Sequence, residues 1–246
     1  SEMCIRDSNY IALFQNASFR TAAKNTATFS AMAVPLAVVL SLGLALLLNS
    51  KIRGRNVFRA IIYLPALVAP VIMGTMYYFI FQYQQGALNT IMTGLGFEKV
   101  AWFNNPAVSV AIITIVNSIQ FVGVSMIIYL AGLQTLDQSV MEAASLDGAS
   151  GWKKFWNITL PMLQPAFTTS VVLNLIGGLK LFDIIKVLTN GGPGYATNSI
   201  STYISSMYFD AQNAGYASAL GVFLFILIAI ITYLLNTGLA KLNWEA

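Results

Sequence analysis

Five long apolar segments separated by polar loops dominate the pattern of the sequence. They cover residues 29–48, 61–81, 108–130, 166–185 and 217–235. Each has about the length that a helix needs to cross the hydrocarbon core of a bilayer. A membrane β-barrel would instead show segments of about ten residues with alternating polarity. The pattern therefore predicts an all-α, polytopic membrane protein with five visible spans.

The segments outside and within the spans add detail to this prediction. Residues 9–27 mix polar and apolar positions and predict a short amphipathic helix before the first span. Pro65 and Pro70 predict a kink in the second span, because proline lacks an amide hydrogen. Residues 1–8, SEMCIRDS, fit none of the pattern and look like translated sequencing adapter, so we expect them to be an artefact. The membrane domain is then assigned to residues 9–246.

Basic residues are concentrated in alternate loops. The loops after the first, third and fifth spans hold Lys51, Arg53, Arg55, Arg59, Lys153, Lys154 and Lys241. The opposite loops hold only Lys99 and Lys186. The positive-inside rule therefore places the start of this chain outside the cell and its C-terminus in the cytoplasm. A chain that starts outside without a signal peptide predicts a missing earlier span, and so six or more spans in the complete protein.

The composition excludes several classes of function. The chain is 57% hydrophobic and 9% charged, whereas soluble domains carry about 25% charged residues. With no histidine and the single cysteine Cys4, it has no internal disulfide, no zinc site of the Cys/His kind and no Ser-His-Asp or Cys-His catalysis. The sequence G-x-x-x-x-G-K-[ST] is absent, so nothing here binds ATP through a P-loop. We expect no enzyme activity, no cofactor and no nucleic-acid partner.

The longest polar segment, residues 131–165, predicts a helix, a turn and a second helix at the cytoplasmic surface. Asp137 or Ser139 is placed to cap the first helix. Asp147-Gly148 is a turn signal that ends it. A second short helix is expected over 152–157, before the fourth span.

This segment carries a specific resemblance. Its pattern matches the EAA loop of permease subunits of ABC importers at Glu142, Ala143, Ala144, Asp147, Gly148, Ala149, Ile158, Leu160 and Pro161. Residues 188–193, LTNGGP, and residues 215–219, GYASA, resemble segments of the binding-protein-dependent sugar branch, and of its maltose-F-like members in particular. The resemblance covers about residues 25–240. As a local alternative, Glu142 is only a helix-capping residue and Gly148 only a helix stop.

The resemblance implies a mechanism and a set of partners. The EAA loop would form a cytoplasmic coupling helix that fits a groove on one of two identical ABC ATPase subunits. A second permease subunit, usually a different chain, would complete the pathway, and an extracytoplasmic binding protein would deliver a sugar or oligosaccharide. The location implied is the bacterial inner membrane. Alternatives are an importer for glycerol phosphate or another small solute, and a solitary secondary transporter, which would show inverted repeats.

Polar residues within the spans are candidates for the transport path. Amides hydrogen-bond sugar hydroxyls, and aromatic rings suit the apolar faces of sugars. The residues assigned to the path are Asn117, Gln120, Phe121 and Asn174. The alternative is that the amides only join helices by hydrogen bonds. Lys180 and Asp183, three residues apart, are predicted to form an ion pair near the outer surface.

Overall fold

The described residues of the computed structural model, 7–50 and 52–241, are mostly helical and include no strand. The prediction about residues 1–8 falls mainly on residues 1–6, which lie outside the described ranges. The first seven helices are α1 (Asp7–Gln15), α2 (Ala17–Asn49), α3 (Arg55–Leu67), α4 (Pro70–Phe81), α5 (Ala87–Gly94), α6 (Pro106–Gln134) and α7 (Gln138–Leu146).

The second half of the chain contains six further helices within the described ranges. These are α8 (Gly151–Lys154), α9 (Leu160–Met162), α10 (Gln164–Leu179), α11 (Asp183–Leu188), α12 (Ile200–Ser205) and α13 (Ala214–Lys241). Two π-helical turns, Phe155–Thr159 and Ser206–Asp210, join α8 to α9 and follow α12. The all-α prediction is confirmed.

Five segments match the predicted spans, but only three are single helices. α2, α6 and the part of α13 at Ala214–Leu239 are each long and apolar enough to cross a membrane. The other two are bent pairs, in which α3 and α4 meet at 97° and the segment Gly151–Met162 meets α10 at 73°. The described residues therefore provide between three and five membrane spans.

Three boundaries differ from the predicted ones. The first span begins at Ala17 rather than at residue 29, because Asn16 caps a helix whose first turns pack against α12 and α13. The second span is two helices rather than one kinked helix, with Pro70 opening the second of them. The fourth span stops at Leu179 instead of continuing to residue 185.

The spans alternate in direction, as the basic loops predicted. One buried cluster joins Leu48 at the end of α2, Leu133 at the end of α6 and Leu163 at the start of α10. Gln164 adds α13 to this end by donating to the backbone oxygen of Leu239 at 2.8 Å. We call this the basic end of the bundle, because the lysine- and arginine-rich loops leave from it.

A second cluster closes the opposite end. It packs the start of α2, with Phe19 and Ala22, against Tyr203 of α12 and against Tyr216 and Leu220 of α13. A third cluster, between the two ends, joins α2, α6 and α11 around Phe29, Ile113 and Ile184. The bundle is therefore centred on the pairing of α2 with α6.

Gly123 explains how closely α3 approaches α6. A β-carbon at this position would lie 2.7 Å from the Cα of Tyr63, closer than real side chains are found. Small residues allow such backbone approaches between membrane helices. This contact sets α3 beside the middle of α6.

Candidate functional site

The break between α3 and α4 and the gap between α10 and α11 both lie beside the middle of α6. Pro70, which opens α4, and Leu181, which lies between α10 and α11, line the same small cavity as Asn117 of α6. Interrupted membrane helices expose backbone groups, and transporters use them to build binding sites near the middle of the bilayer. The fold therefore brings two interrupted segments, far apart in sequence, to one depth of the bundle.

Each break is stabilised by a polar side chain from another segment. The amide of Gln120 donates to the backbone oxygen of Val68 at 3.1 Å, between α3 and α4. The hydroxyl of Ser199 donates to the backbone oxygen of Leu181 at 2.6 Å. A bilayer offers no water to such carbonyls, so a protein donor has to satisfy them. Ser199 gave no signal in the sequence, because serines at helix starts are common.

Gln120 lies apart from the other predicted pathway residues. Its side chain is fully buried and lines neither of the cavities beside the breaks. The amide is instead engaged by the α3–α4 break. Gln120 thus has the helix-joining role that we kept as the alternative.

The three other predicted pathway residues line one cavity. Its volume is about 380 Å³, within the range of small-ligand sites. It is lined by Asn117, Phe121, Val124, Ser125, Leu173, Asn174, Ile176, Gly177 and Lys180. A smaller cavity of about 110 Å³ shares Asn117, Phe121, Gly177 and Lys180 with it and extends to the α4 start. We call the two together the mid-membrane cavity.

The polar groups of this cavity are partly engaged already. The amide of Asn174 donates to the hydroxyl of Ser125 and to the backbone oxygen of Ser170, both at 2.8 Å. The bond to Ser125 joins α10 to α6 across the cavity wall. Asn117 is nearly buried and lines both parts of the cavity. The site therefore offers amide and hydroxyl groups beside the aromatic ring of Phe121.

Lys180 adds a positive charge that the pathway prediction did not include. It is exposed and lines both parts of the mid-membrane cavity. The structure contains no ion pair between it and Asp183, so that prediction is wrong. The physical reason is that α10 ends at Leu179, and the chain no longer has the helical geometry that brings residues three apart together. An ionisable residue within an apolar segment was the signal for a functional role.

The segment with the sequence LTNGGP lies at the end opposite to the basic one. It belongs to a loop over residues 189–199, which is closed by the hydroxyls of Thr189 and Thr197, 2.7 Å apart. Asn25 of α2 fixes it further by donating to the backbone oxygens of Ala196 and Asn198 at 2.9 and 3.0 Å. A cavity of about 500 Å³, lined in part by Asn190, Tyr195 and Asp210, opens beside it. This segment therefore forms a structured surface outside the bundle.

At the basic end, residues 131–165 form the helix, turn and helix that the sequence predicted. Asp137 rather than Ser139 caps α7, since its carboxylate accepts from the backbone N–H of Ser139 at 2.8 Å. These hydrogen bonds to Ser139 lower the pKa of the Asp137 carboxyl. Gly148 follows the helix with a φ of 77°, a left-handed backbone conformation that favours glycine.

The second part of this segment is longer than predicted. It runs from α8 through a π-helical turn into α9, over Gly151–Met162. Lys154 ties it to α7 by donating to the hydroxyl of Ser145 at 2.8 Å and to the backbone oxygen of Met141. Trp152 and Trp156 are exposed and contact each other edge to face. We call residues 137–162 the coupling segment, after the role that the sequence predicts for it.

The nine predicted coupling residues fall into groups that differ in exposure. Glu142, Ala143, Asp147 and Gly148 are exposed. Ala149, Ile158 and Leu160 are half-buried, whereas Ala144 and Pro161 are buried. The exposed members lie on α7 and the turn after it. The buried members lie inside the protein, and so they shape the segment rather than present a surface.

Comparison with known proteins identifies the family. Residues 20–242 match the family model described as "binding-protein-dependent transport system inner membrane component". The trehalose/maltose transport system permease protein MalF of Thermococcus litoralis is 36% identical over 91% of this chain and 76% of its own length. The arabinooligosaccharides transport system permease protein AraP of Bacillus subtilis is 33% identical over 92% of this chain and 72% of its own.

Solved structures give the same result. A chain from a bacterial ABC transporter involved in the import of the acidic polysaccharide alginate superposes with a TM-score of 0.88 and 26% identity, over 98% of this chain and 86% of that one. A chain of the alginate transporter in complex with its pentasaccharide-bound periplasmic protein superposes with a TM-score of 0.87 and 27% identity. The chain therefore belongs to the family of inner membrane components of binding-protein-dependent transport systems, which confirms the prediction of a multi-pass permease subunit rather than an enzyme.

Proposed function

We propose that this chain forms half of the transport path of an ATP-driven importer for sugars or oligosaccharides, and that the mid-membrane cavity is its substrate site. The observation that carries the proposal is the meeting of two interrupted segments and two asparagines, Asn117 and Asn174, at one cavity beside the middle of α6. Such a site is reached from either face of the membrane as the helices on its two sides move.

The chemistry of the cavity supports a sugar. Hydroxyl groups of a sugar need donors and acceptors, which Asn117, Ser125 and Asn174 provide, and its apolar faces suit the ring of Phe121. Relatives named for trehalose and maltose or for arabinooligosaccharides are about one-third identical to this chain over the aligned residues. The second permease subunit would close the cavity from the other side, and a binding protein would deliver the sugar at the end opposite to the basic one.

A second candidate is a small anionic solute, such as a glycerol phosphate. Lys180 supports it, since an exposed ammonium in the cavity favours a negative charge on the substrate. Replacing Lys180 by glutamine separates the two candidates. The KM for a neutral sugar should stay within about twofold, whereas the KM for an anionic solute should rise about tenfold for the loss of one charged contact.

The basic end, by this proposal, faces the cytoplasm, with the chain's first helix outside and its C-terminus inside. The coupling segment then docks on one of two ATPase subunits through the exposed surface of α7 and the turn at Gly148. ATP drives transport only because it binds the two conformations of the complex with different affinity. The short, capped helix tied back by Lys154 is suited to transmit a displacement without bending.

A cross-linking experiment tests both the orientation and the coupling. Cys4, the only cysteine, is replaced by serine, and a single cysteine is placed at Ala149 or, as the control at the opposite end, at Glu98. The chain is expressed with its ATPase, which carries a cysteine in its surface groove. We expect a cross-link from position 149 that changes with ATP, and labelling of position 98 by a membrane-impermeant maleimide in intact cells.

The opposite results would contradict the proposal. Labelling of position 149 from outside would reverse the orientation. An intact complex that gives no cross-link from position 149 or from its neighbours Asp147 and Gly148 would contradict the coupling role of this segment.

A further inference from the structure

A second cavity of the bundle lies away from the mid-membrane cavity, between α3 and α6 at the basic end. Its volume is about 340 Å³. It is lined by Arg59, Ala60, Tyr63, Ile127, Leu130, Ala131 and Gln134. None of these residues has a part in the proposed transport path or coupling segment, so the groove needs its own explanation.

The groove changes from polar to apolar along its length. Arg59 and Gln134 lie near the helix ends, at the basic end of the bundle. Tyr63 and Ile127 lie one turn or more deeper, toward the close contact of Gly123 with α3. This gradient matches a molecule with a polar head at the membrane surface and an apolar chain in the hydrocarbon core.

Arg59 has hydrogen-bonding capacity left over. One terminal nitrogen donates to the backbone oxygen of Leu48 at 3.3 Å. Its Nε is buried and has no hydrogen-bond partner within the part of the chain that the structure describes. A guanidinium presents five N–H groups, and a phosphate with several oxygens is the anion that suits such a fork.

The charge around the groove favours an anion from the bilayer. Arg53 and Arg55 are exposed at the start of α3, and residues 51–60 include no aspartate or glutamate. An apolar helix of a partner subunit would fill the groove but place no anion beside the half-buried side chain of Arg59. We propose that the groove binds an anionic phospholipid, with its phosphate on Arg59 and an acyl chain along Tyr63 and Ile127.

Native mass spectrometry of the purified, complete transporter tests the proposal. The complex is equilibrated with equal amounts of phosphatidylglycerol and phosphatidylethanolamine, and retained lipids are counted. We expect preferential retention of phosphatidylglycerol, and a reduction of about fivefold in the Arg59→Gln variant, the loss typical of one basic residue at a membrane surface. Arg53→Gln, which removes an exposed arginine that does not line the groove, should retain the wild-type amount.

A second variant guards against a folding defect, since Arg59 also binds the end of α2. Ala131→Leu fills the groove and leaves every arginine in place, and it should lower phosphatidylglycerol retention by a similar factor. Equal retention by the wild type, Arg59→Gln and Ala131→Leu would overturn the proposal. So would a cross-link between a cysteine at Ala60 and the second permease subunit in native membranes, because it would show a protein in the groove.

Discussion

The mid-membrane cavity and the coupling segment are held together by contacts of very different range. Ser125 and Asn174, which join α6 to α10 at the cavity, are 49 residues apart in the chain. In the coupling segment, the bond from Ser139 to Asp137 spans two residues and the bond from Lys154 to Ser145 spans nine. The cavity therefore exists only in the packed bundle, whereas the coupling segment is formed by local caps and turns.

This difference separates two kinds of damage. A substitution that disturbs helix packing should abolish the cavity together with the fold. By the proposed function, a substitution in the coupling segment should leave the bundle folded and remove only its communication with the ATPase. The predictions that follow begin with the largest expected effect.

Gly123→Ala should have the largest effect, a loss of stability in the packing of α3 against α6. The added methyl group meets the backbone of Tyr63 at 2.7 Å, so α3 has to move away from α6. Overpacking of this kind costs about 1–3 kcal/mol in the free energy of unfolding. Gly43→Ala is the matched control, because a β-carbon there has no neighbour within 4 Å. Thermal unfolding of the purified complex measures both, and equal unfolding temperatures would contradict the close approach.

Gly148→Ala should affect only the coupling segment. The residue has a φ of 77°, where a side chain costs about 1–2 kcal/mol, so the turn after α7 should open. We expect substrate uptake to fall about tenfold while assembly and the unfolding temperature stay unchanged. Gly151→Ala, three residues on and without a positive φ, is the control. Wild-type uptake by both variants would show that the turn is not needed for coupling.

Asn174→Ala and Gln120→Leu should separate binding from stability within the cavity region. Asn174 lines the cavity, so its loss should raise the KM for uptake by about tenfold, the value of a hydrogen bond to a ligand. The lost bond to Ser125 should lower the free energy of unfolding by only about 0.6 kcal/mol, the average for such bonds between membrane helices. Gln120 is buried against the α3–α4 break, so its loss should lower the free energy of unfolding by about 1–3 kcal/mol. Uptake kinetics and thermal unfolding of both variants should therefore show a changed KM for Asn174→Ala and a lowered stability for Gln120→Leu. A KM unchanged by Asn174→Ala, with normal assembly, would place the substrate elsewhere.

The smallest effect should come from Asp137, whose titration should make the stability of α7 depend on pH. Hydrogen bonds to Ser139 lower the pKa of its carboxyl in the folded state. The cap therefore contributes its full stabilisation of α7 at a pH above the pKa of aspartate in an unfolded chain. This stabilisation is lost as the pH falls through the lower pKa of Asp137 in the folded state. Hydrogen exchange of the α7 amides, corrected for intrinsic rates, should show protection that decreases below about pH 4. In Asp137→Ala the protection should be weak and independent of pH over this range.

The same comparison explains how far sequence reasoning reached. The helices of the coupling segment and the turn at Gly148 follow from capping and turn residues close together in the chain, and the structure contains them. The choice between Asp137 and Ser139 as the cap was left open by the sequence, since both are good capping residues, and the backbone path decided it. The length of the second helical part was missed, because the π-helical turn has no clear sequence signal.

Within the spans, sequence reasoning was less complete. Asn117, Phe121 and Asn174 were selected as polar or aromatic residues in apolar segments, and they do line one cavity. Gln120 was selected by the same rule and lies elsewhere, because a carbonyl freed by the α3–α4 break binds its amide. Ser199, which does the same for Leu181, lies outside the predicted spans and was not considered.

The sequence by itself determined the all-α membrane architecture, the alternation of the spans and the motif of the coupling segment. These depend on the length of the apolar segments, on the distribution of charge between the loops and on local helix capping. Each of them can be read from residues that are close together in the chain. Only the tertiary structure decided where the second and fourth spans break, which amides face a cavity and which groove surrounds Arg59. Those features depend on contacts between helices far apart in the chain, and on which side chain donates to a backbone oxygen that water does not reach. No single segment of the sequence contains both partners of such a contact.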